Sequence, residues 1–186
     1  MDYRRIACGQ LLWRRTFRWA SCVLPGAFGA MASYAVFDGF LSSDPDAFKA
    51  AGLILIVGGL VLRITRSRIH LAEGRVVVVN PVFWYSVPYA AVHRAEAAPG
   101  SGLVLRTKQD FRGEPEVFSV GFAGSLLDHR FQTAAKAAEA IGKAKKRSPR
   151  GGAAEQEIEY GMVRDAVFEA MLVLALACFV ASFFTQ

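Results

Sequence analysis

Three long apolar runs bracket the only β-rich stretch of this chain, and they limit what it can fold into. Residues 19–37 carry no charge over 19 positions, close to the roughly 20 that a helix needs to cross a bilayer. Residues 47–62 form a second run of 16, with Lys49 near its start. Lys49 can snorkel outward and Ile64 can extend the far end, so this run also suffices for a span. Residues 166–184 form the third, with Glu169 as its single charge. Pro25 falls inside the first run, and Gly26, Gly29, Gly58 and Gly59 supply the small residues that let helices approach closely. With 53% hydrophobic and 20% charged residues, the chain is too apolar for an ordinary soluble domain and too charged to lie wholly within a bilayer.

Charge asymmetry predicts an orientation. The net charge is +6, but the excess is not spread evenly. Arg4, Arg5, Arg14, Arg15 and Arg18 precede the first run, and Arg63, Arg66 and Arg68 follow the second. The connection over 38–46 holds Asp38, Asp44 and Asp46 and no Lys or Arg. The positive-inside rule therefore puts the N-terminus and the β-rich stretch in the cytoplasm, and the 38–46 connection and the C-terminus outside. A signal peptide is disfavoured because no small-residue cleavage site closes a short apolar core. The Trp19-Ala-Ser-Cys22 segment is no lipoprotein box, since its Cys precedes the apolar run. An interfacial third helix is the alternative to a span, because residues 160–170 are already amphipathic.

Between the second and third runs, residues 68–122 are rich in β-branched and aromatic residues and punctuated by turn signals. Ile69 and Leu71 alternate with polar neighbours up to a tight turn at Glu73-Gly74. Val76 to Val79 is an apolar strand that Asn80-Pro81 interrupts. Phe83-Trp84-Tyr85 opens the next strand. Pro99 to Gly102 is a loop, Leu103 and Leu105 point one way, and residues 110–115 form a polar hairpin loop. Phe118, Val120 and Phe122 are expected on one inward face with period two. About six mostly consecutive strands result, and these favour antiparallel pairing. A helix over 125–146 should follow, with Ser125 as N-cap, Asp128 in the capping-box place, and Leu127, Phe131, Ala134, Ala138 and Ile141 on one face.

Nothing local points to catalysis. His70, His93 and His129 lack metal-ligand spacing to one another or to Cys8, Cys22 and Cys178. There is no phosphate-binding glycine loop, no nucleophile elbow and no paired carboxylates. Neither an enzyme nor a cofactor is expected. Two sets of charged residues are candidates for contacts. Arg63, Arg66, Arg68, Lys143, Lys145, Lys146 and Arg147 would face an anionic inner leaflet, or serve topology alone. Glu169 and Lys49 are candidate intramembrane polar contacts; Glu169 would pair with Arg63, Arg66 or Arg18, or lie at the interface. Nucleic acid is not an expected partner, because the aromatics at 83–85 must in part fill the core.

The order of elements resembles the bacterial PH-like membrane proteins of the actinobacterial type. The residues that carry the likeness are Leu62-Arg63-Ile64-Thr65-Arg66 closing a helical hairpin, the turn at Gly74, Val76-Val77-Val78, and Ser86-Val87-Pro88-Tyr89-Ala90-Ala91-Val92. In this last step Tyr89 stands where the family has Trp. The likeness covers about 47–146. A third apolar helix and a strand count of six, where a full barrel has seven, depart from the family form. The resemblance implies a transmembrane hairpin (19–64) followed by a PH-like antiparallel barrel or sandwich with its capping helix (65–147), to which the charge and hydropathy pattern adds a basic N-terminus (1–18), a linker (148–160) and a third transmembrane helix (161–186), making an α+β membrane protein. It implies the bacterial inner membrane and a non-enzymatic cytoplasmic module for protein contacts or self-association. The alternatives are an anionic-lipid module and an accessory subunit of a transporter or envelope enzyme. Fold alone does not choose among them.

Overall fold

The computed structural model describes residues 9–98, 102–111, 114–123, 132–148 and 157–185. Among them are four α-helices and eight strands. The helices are α1 (Arg15–Ser42), α2 (Pro45–Thr65), α3 (Thr133–Arg147) and α4 (Ala166–Phe184). The strands are β1 (Gly9–Leu12), β2 (Arg68–Ala72), β3 (Arg75–Val79), β4 (Phe83–Pro88), β5 (Val92–Ala98), β6 (Gly102–Phe111), β7 (Glu114–Ser119) and β8 (Glu159–Met162). The chain divides into two compact units, one of Met1–Arg15 with Arg66–Val163 and the other of Thr16–Thr65 with Arg164–Gln186.

The second unit is helical, and α1, α2 and α4 are each long and apolar enough to cross a membrane. Their packing follows from glycines on α2. A Cβ added at Gly58 would come within 2.7 Å of Phe28, one at Gly59 within 2.9 Å of Phe168, and one at Gly52 within 2.9 Å of Phe179. Rings from α1 and α4 thus rest directly on the α2 backbone, the close approach that small residues permit between apolar helices. Leu55, Leu62, Met171 and Ala175 fill the remaining core. Trp19, Tyr34, Phe40, Val173 and Phe183 stay exposed, as befits helices suited to a lipid solvent. Asp165 caps α4 by accepting bonds from the Val167 and Phe168 amides, satisfying two donors that the helix itself leaves open.

The first unit is built from two antiparallel sheets. One has the order β1-β2-β3-β4-β8 and the other β5-β6-β7. Ile69, Val76, Val78, Val87, Leu103, Leu105 and Val117 form the main core with Ala134, Ala137 and Ile141 of α3. Val77 and Val79 pack with Trp84 in a second cluster on the other face of β3. Both faces of β3 are therefore buried, which accounts for four consecutive valines where a half-exposed strand would alternate. Asn80 joins the sheets: its Nδ2 donates to the Phe118 carbonyl at 2.7 Å, and its Oδ1 accepts from the Val120 amide at 2.8 Å. Arg75 of β3 pairs with Glu159 of β8 at 2.9 Å.

Strand register places three chain connections at one end of the five-stranded sheet. Leu12 lies opposite Ile69, Arg68 opposite Val79, and Phe83 opposite Met162. At that end β1 leads to α1 and β8 to α4, and α2 leads to β2, each through two or three residues.

Several expectations change. Two separate sheets form and no barrel closes among the described residues. The strand count is eight, because β1 lies in the expected basic N-terminus and β8 in the expected linker and start of the third helix. The third helix accordingly starts at Ala166, after β8 has added to the edge of β4. The inward face near 118 is Val117, Ser119 and Phe122, while Phe118 is 45% exposed and Val120 also faces out. The strand stops at Ser119, and a 3₁₀ turn over Val120–Phe122 swings Phe122 into the core. The expected cap at Ser125, with Leu127, Asp128, His129 and Phe131, lies outside the described residues, as do Arg4, Arg5 and Cys8.

Candidate binding cleft

Within the first unit, α3 packs against β5 and leaves a cleft of ≈ 990 Å³ beside it. Three local features build it. First, Pro88 ends β4, and the Tyr89 amide donates to the Gly74 carbonyl at 3.0 Å. Gly74 adopts φ +79, a conformation that costs glycine little. That turn buries the Tyr89 ring, which is 4% exposed and lines the cleft. Second, β5 carries a bulge: Val92 pairs with Thr107 and Arg94 with Arg106, so His93 is one residue too many. A bulge frees ladder groups and redirects side chains, often beside functional sites. Third, α3 brings Lys145 over the bulge. Its Nζ donates to the carbonyls of Val92 at 2.6 Å and His93 at 3.0 Å.

The cleft has an apolar floor of Val92, Ala138 and Ile141 and a cationic rim of Arg94, Lys108, Lys145 and Lys146. Its described lining contains no Asp or Glu. Among the described residues, Arg94 is the one rim cation held by a carboxylate, that of Glu96. Burial and then the nearby Lys108 charge lower the Lys145 pKa. Burial pushes the Tyr89 phenol up to about 12, keeping it a protonated donor at neutral pH. Its hydroxyl is buried with no hydrogen-bond partner among the described residues. Buried polar groups are ordinarily paired, so an orphaned hydroxyl on a cleft-lining residue is unusual.

The remaining candidates do not converge on one site. Lys143 pairs with Glu139 at 2.6 Å, and with Arg147 it borders a recess of ≈ 260 Å³ next to β1 that Lys136 also lines. Arg68 donates through Nε to His70 Nε2 at 3.1 Å and lies 5.7 Å from the Trp13 ring centre. Arg66 sits in the link before β2. In the helical unit, the Arg63 guanidinium stacks on Phe168 at 4.1 Å. Glu169 is exposed in the first turn of α4, where a negative charge suits the helix end, and forms no ion pair with another described residue. Lys49 pairs with Asp46 at 2.7 Å, both exposed. Sequence alone missed Arg14, whose Nε donates to Thr133 Oγ1 and whose Nη2 donates to the Ala123 carbonyl, both at 3.1 Å. It also missed Tyr89 and Lys108 as cleft residues.

Among the described residues no group of three or more His, Cys, Asp or Glu is placed to hold a metal. The described lining of the cleft sets cationic side chains and a buried phenol beside apolar ones. No family model, no curated protein and no solved structure matches the chain.

Proposed function

We propose that this is an integral protein of a bacterial inner membrane whose cytoplasmic, PH-like β unit is a non-enzymatic docking module for a protein partner. The cleft between β5 and α3 carries this reading: it joins an apolar floor, a cationic rim and an unpaired buried hydroxyl on one face of a folded module. Such a mixture of apolar area with a few placed polar groups is what binding sites use. Support for the tether comes from the three helices, each apolar enough to span. Their links to β1, β2 and β8 leave one end of one sheet, as a module held on one membrane side requires. The arginines before α1 and after α2 favour the cytoplasm for that side.

Photocrosslinking in native membranes tests the proposal. A photoreactive side chain is placed at Ala95 in the cleft and, as a control, at Glu73 on the exposed turn. A discrete protein adduct from position 95, absent from position 73, is expected. Phospholipid adducts alone from position 95 would transfer the cleft to the anionic-lipid reading.

A further inference from the structure

Resting on the docking function above, we infer that the cleft reads a carboxylate carried next to an apolar side chain, in a short acidic segment of the partner. The Tyr89 hydroxyl donates to the carboxylate and Lys108 and Lys145 neutralise it, while Ile141 and Val92 receive the apolar neighbour.

Four observations converge on this chemistry. The hydroxyl is a buried donor without a partner, on a residue 4% exposed that lines the cleft. A ligand acceptor would complete it, and a charged acceptor makes the stronger bond. The rim carries cations and the described lining no acid, so a negative ligand is complementary and a positive one is repelled. Lys145 already has two of its three donors on backbone carbonyls, which fixes the ammonium in place with one donor left. The floor is apolar, so a bare anion would leave most of the cleft unused. A volume of ≈ 990 Å³ matches several side chains and exceeds the need of one headgroup phosphate.

The test selects binders from a displayed random heptapeptide library against the full chain in phosphatidylcholine nanodiscs. Enrichment of Asp or Glu flanked by aliphatic or aromatic residues is expected. Tyr89→Phe should weaken a selected peptide roughly tenfold to a hundredfold, the range for one hydrogen bond to a charged group. Lys108→Gln should weaken it less, and Lys136→Gln, on the separate recess, should leave it within about twofold, as exposed charges away from a site do. Replacing the peptide's acid by its amide should cost a similar factor, and Tyr89→Phe should then add little, because paired groups are not additive. Selected peptides with no acid, or binding indifferent to Tyr89→Phe, would overturn the carboxylate assignment while leaving protein docking intact. Failure of every peptide, with anionic nanodiscs capturing the photoreactive position 95, would overturn both.

Discussion

Removing the Tyr89 hydroxyl should make the protein more stable. In most cores Tyr→Phe loses a hydrogen bond and costs stability. Here the ring is 4% exposed and the oxygen has no partner among the described residues. An unsatisfied buried group costs about 1–3 kcal/mol. Phenylalanine retains the ring contacts with the core and gives up only the oxygen, whose small void returns part of that gain. The net expectation is a stabilisation of about 1 kcal/mol, or roughly 2–4 °C in melting temperature for a chain of this size. Thermal unfolding of the full chain in a single detergent, followed by circular dichroism, measures it. Tyr89→Ala is the opposite control: it empties the site and should cost about 3–5 kcal/mol. A Tyr89→Phe protein that melts lower than the wild type would mean that the hydroxyl is bonded in the free fold. No donor would then be waiting for a ligand. Stability rising while peptide binding falls is the signature of a group kept for function.

Other consequences are as direct. Burial, and then the Arg68 charge, hold the His70 pKa down to about 4, against 6.5 when unperturbed. Between those values the unfolded chain binds more protons than the folded one, so stability should fall as pH drops from 6.5 towards 4; His70→Gln should flatten that part of a melting-temperature profile. Asn80→Ala removes the bonds to Phe118 and Val120 and should cost about 1–2 kcal/mol in a denaturant titration. Gly58→Val drives a methyl group into Phe28 and should lower the melting temperature through an overpacking cost of about 1–3 kcal/mol.

The apolar helices could be read from sequence because a bilayer imposes a length and a composition that stand out in any window. α4 occupies the third run from end to end, and α2 extends the second by a few residues. The turn at Glu73-Gly74 was visible because its glycine is required locally. β1 and β8 were not visible. Each is four residues long, and each becomes a strand only by pairing with a distant partner, β2 or β4. The phase of β7 cannot be read from hydropathy, because Ser119 is buried and Phe118 exposed, and the 3₁₀ turn then resets the alternation. The cleft has no local motif. Tyr89, Lys108 and Lys145 meet only once a bulge, a turn and a helix have been assembled, so Lys145 and Lys146 looked like two more members of a basic run.

The membrane account meets its sharpest test in cysteine labelling of intact cells with a membrane-impermeant maleimide. In a background where Cys8, Cys22 and Cys178 are replaced, single cysteines go to Ser42 at the end of α1, to Glu73 in the β unit and to Thr185 after α4. The cytoplasmic module predicts labelling at 42 and 185 from outside, and at 73 only after permeabilisation. Labelling of position 73 in intact cells would contradict it.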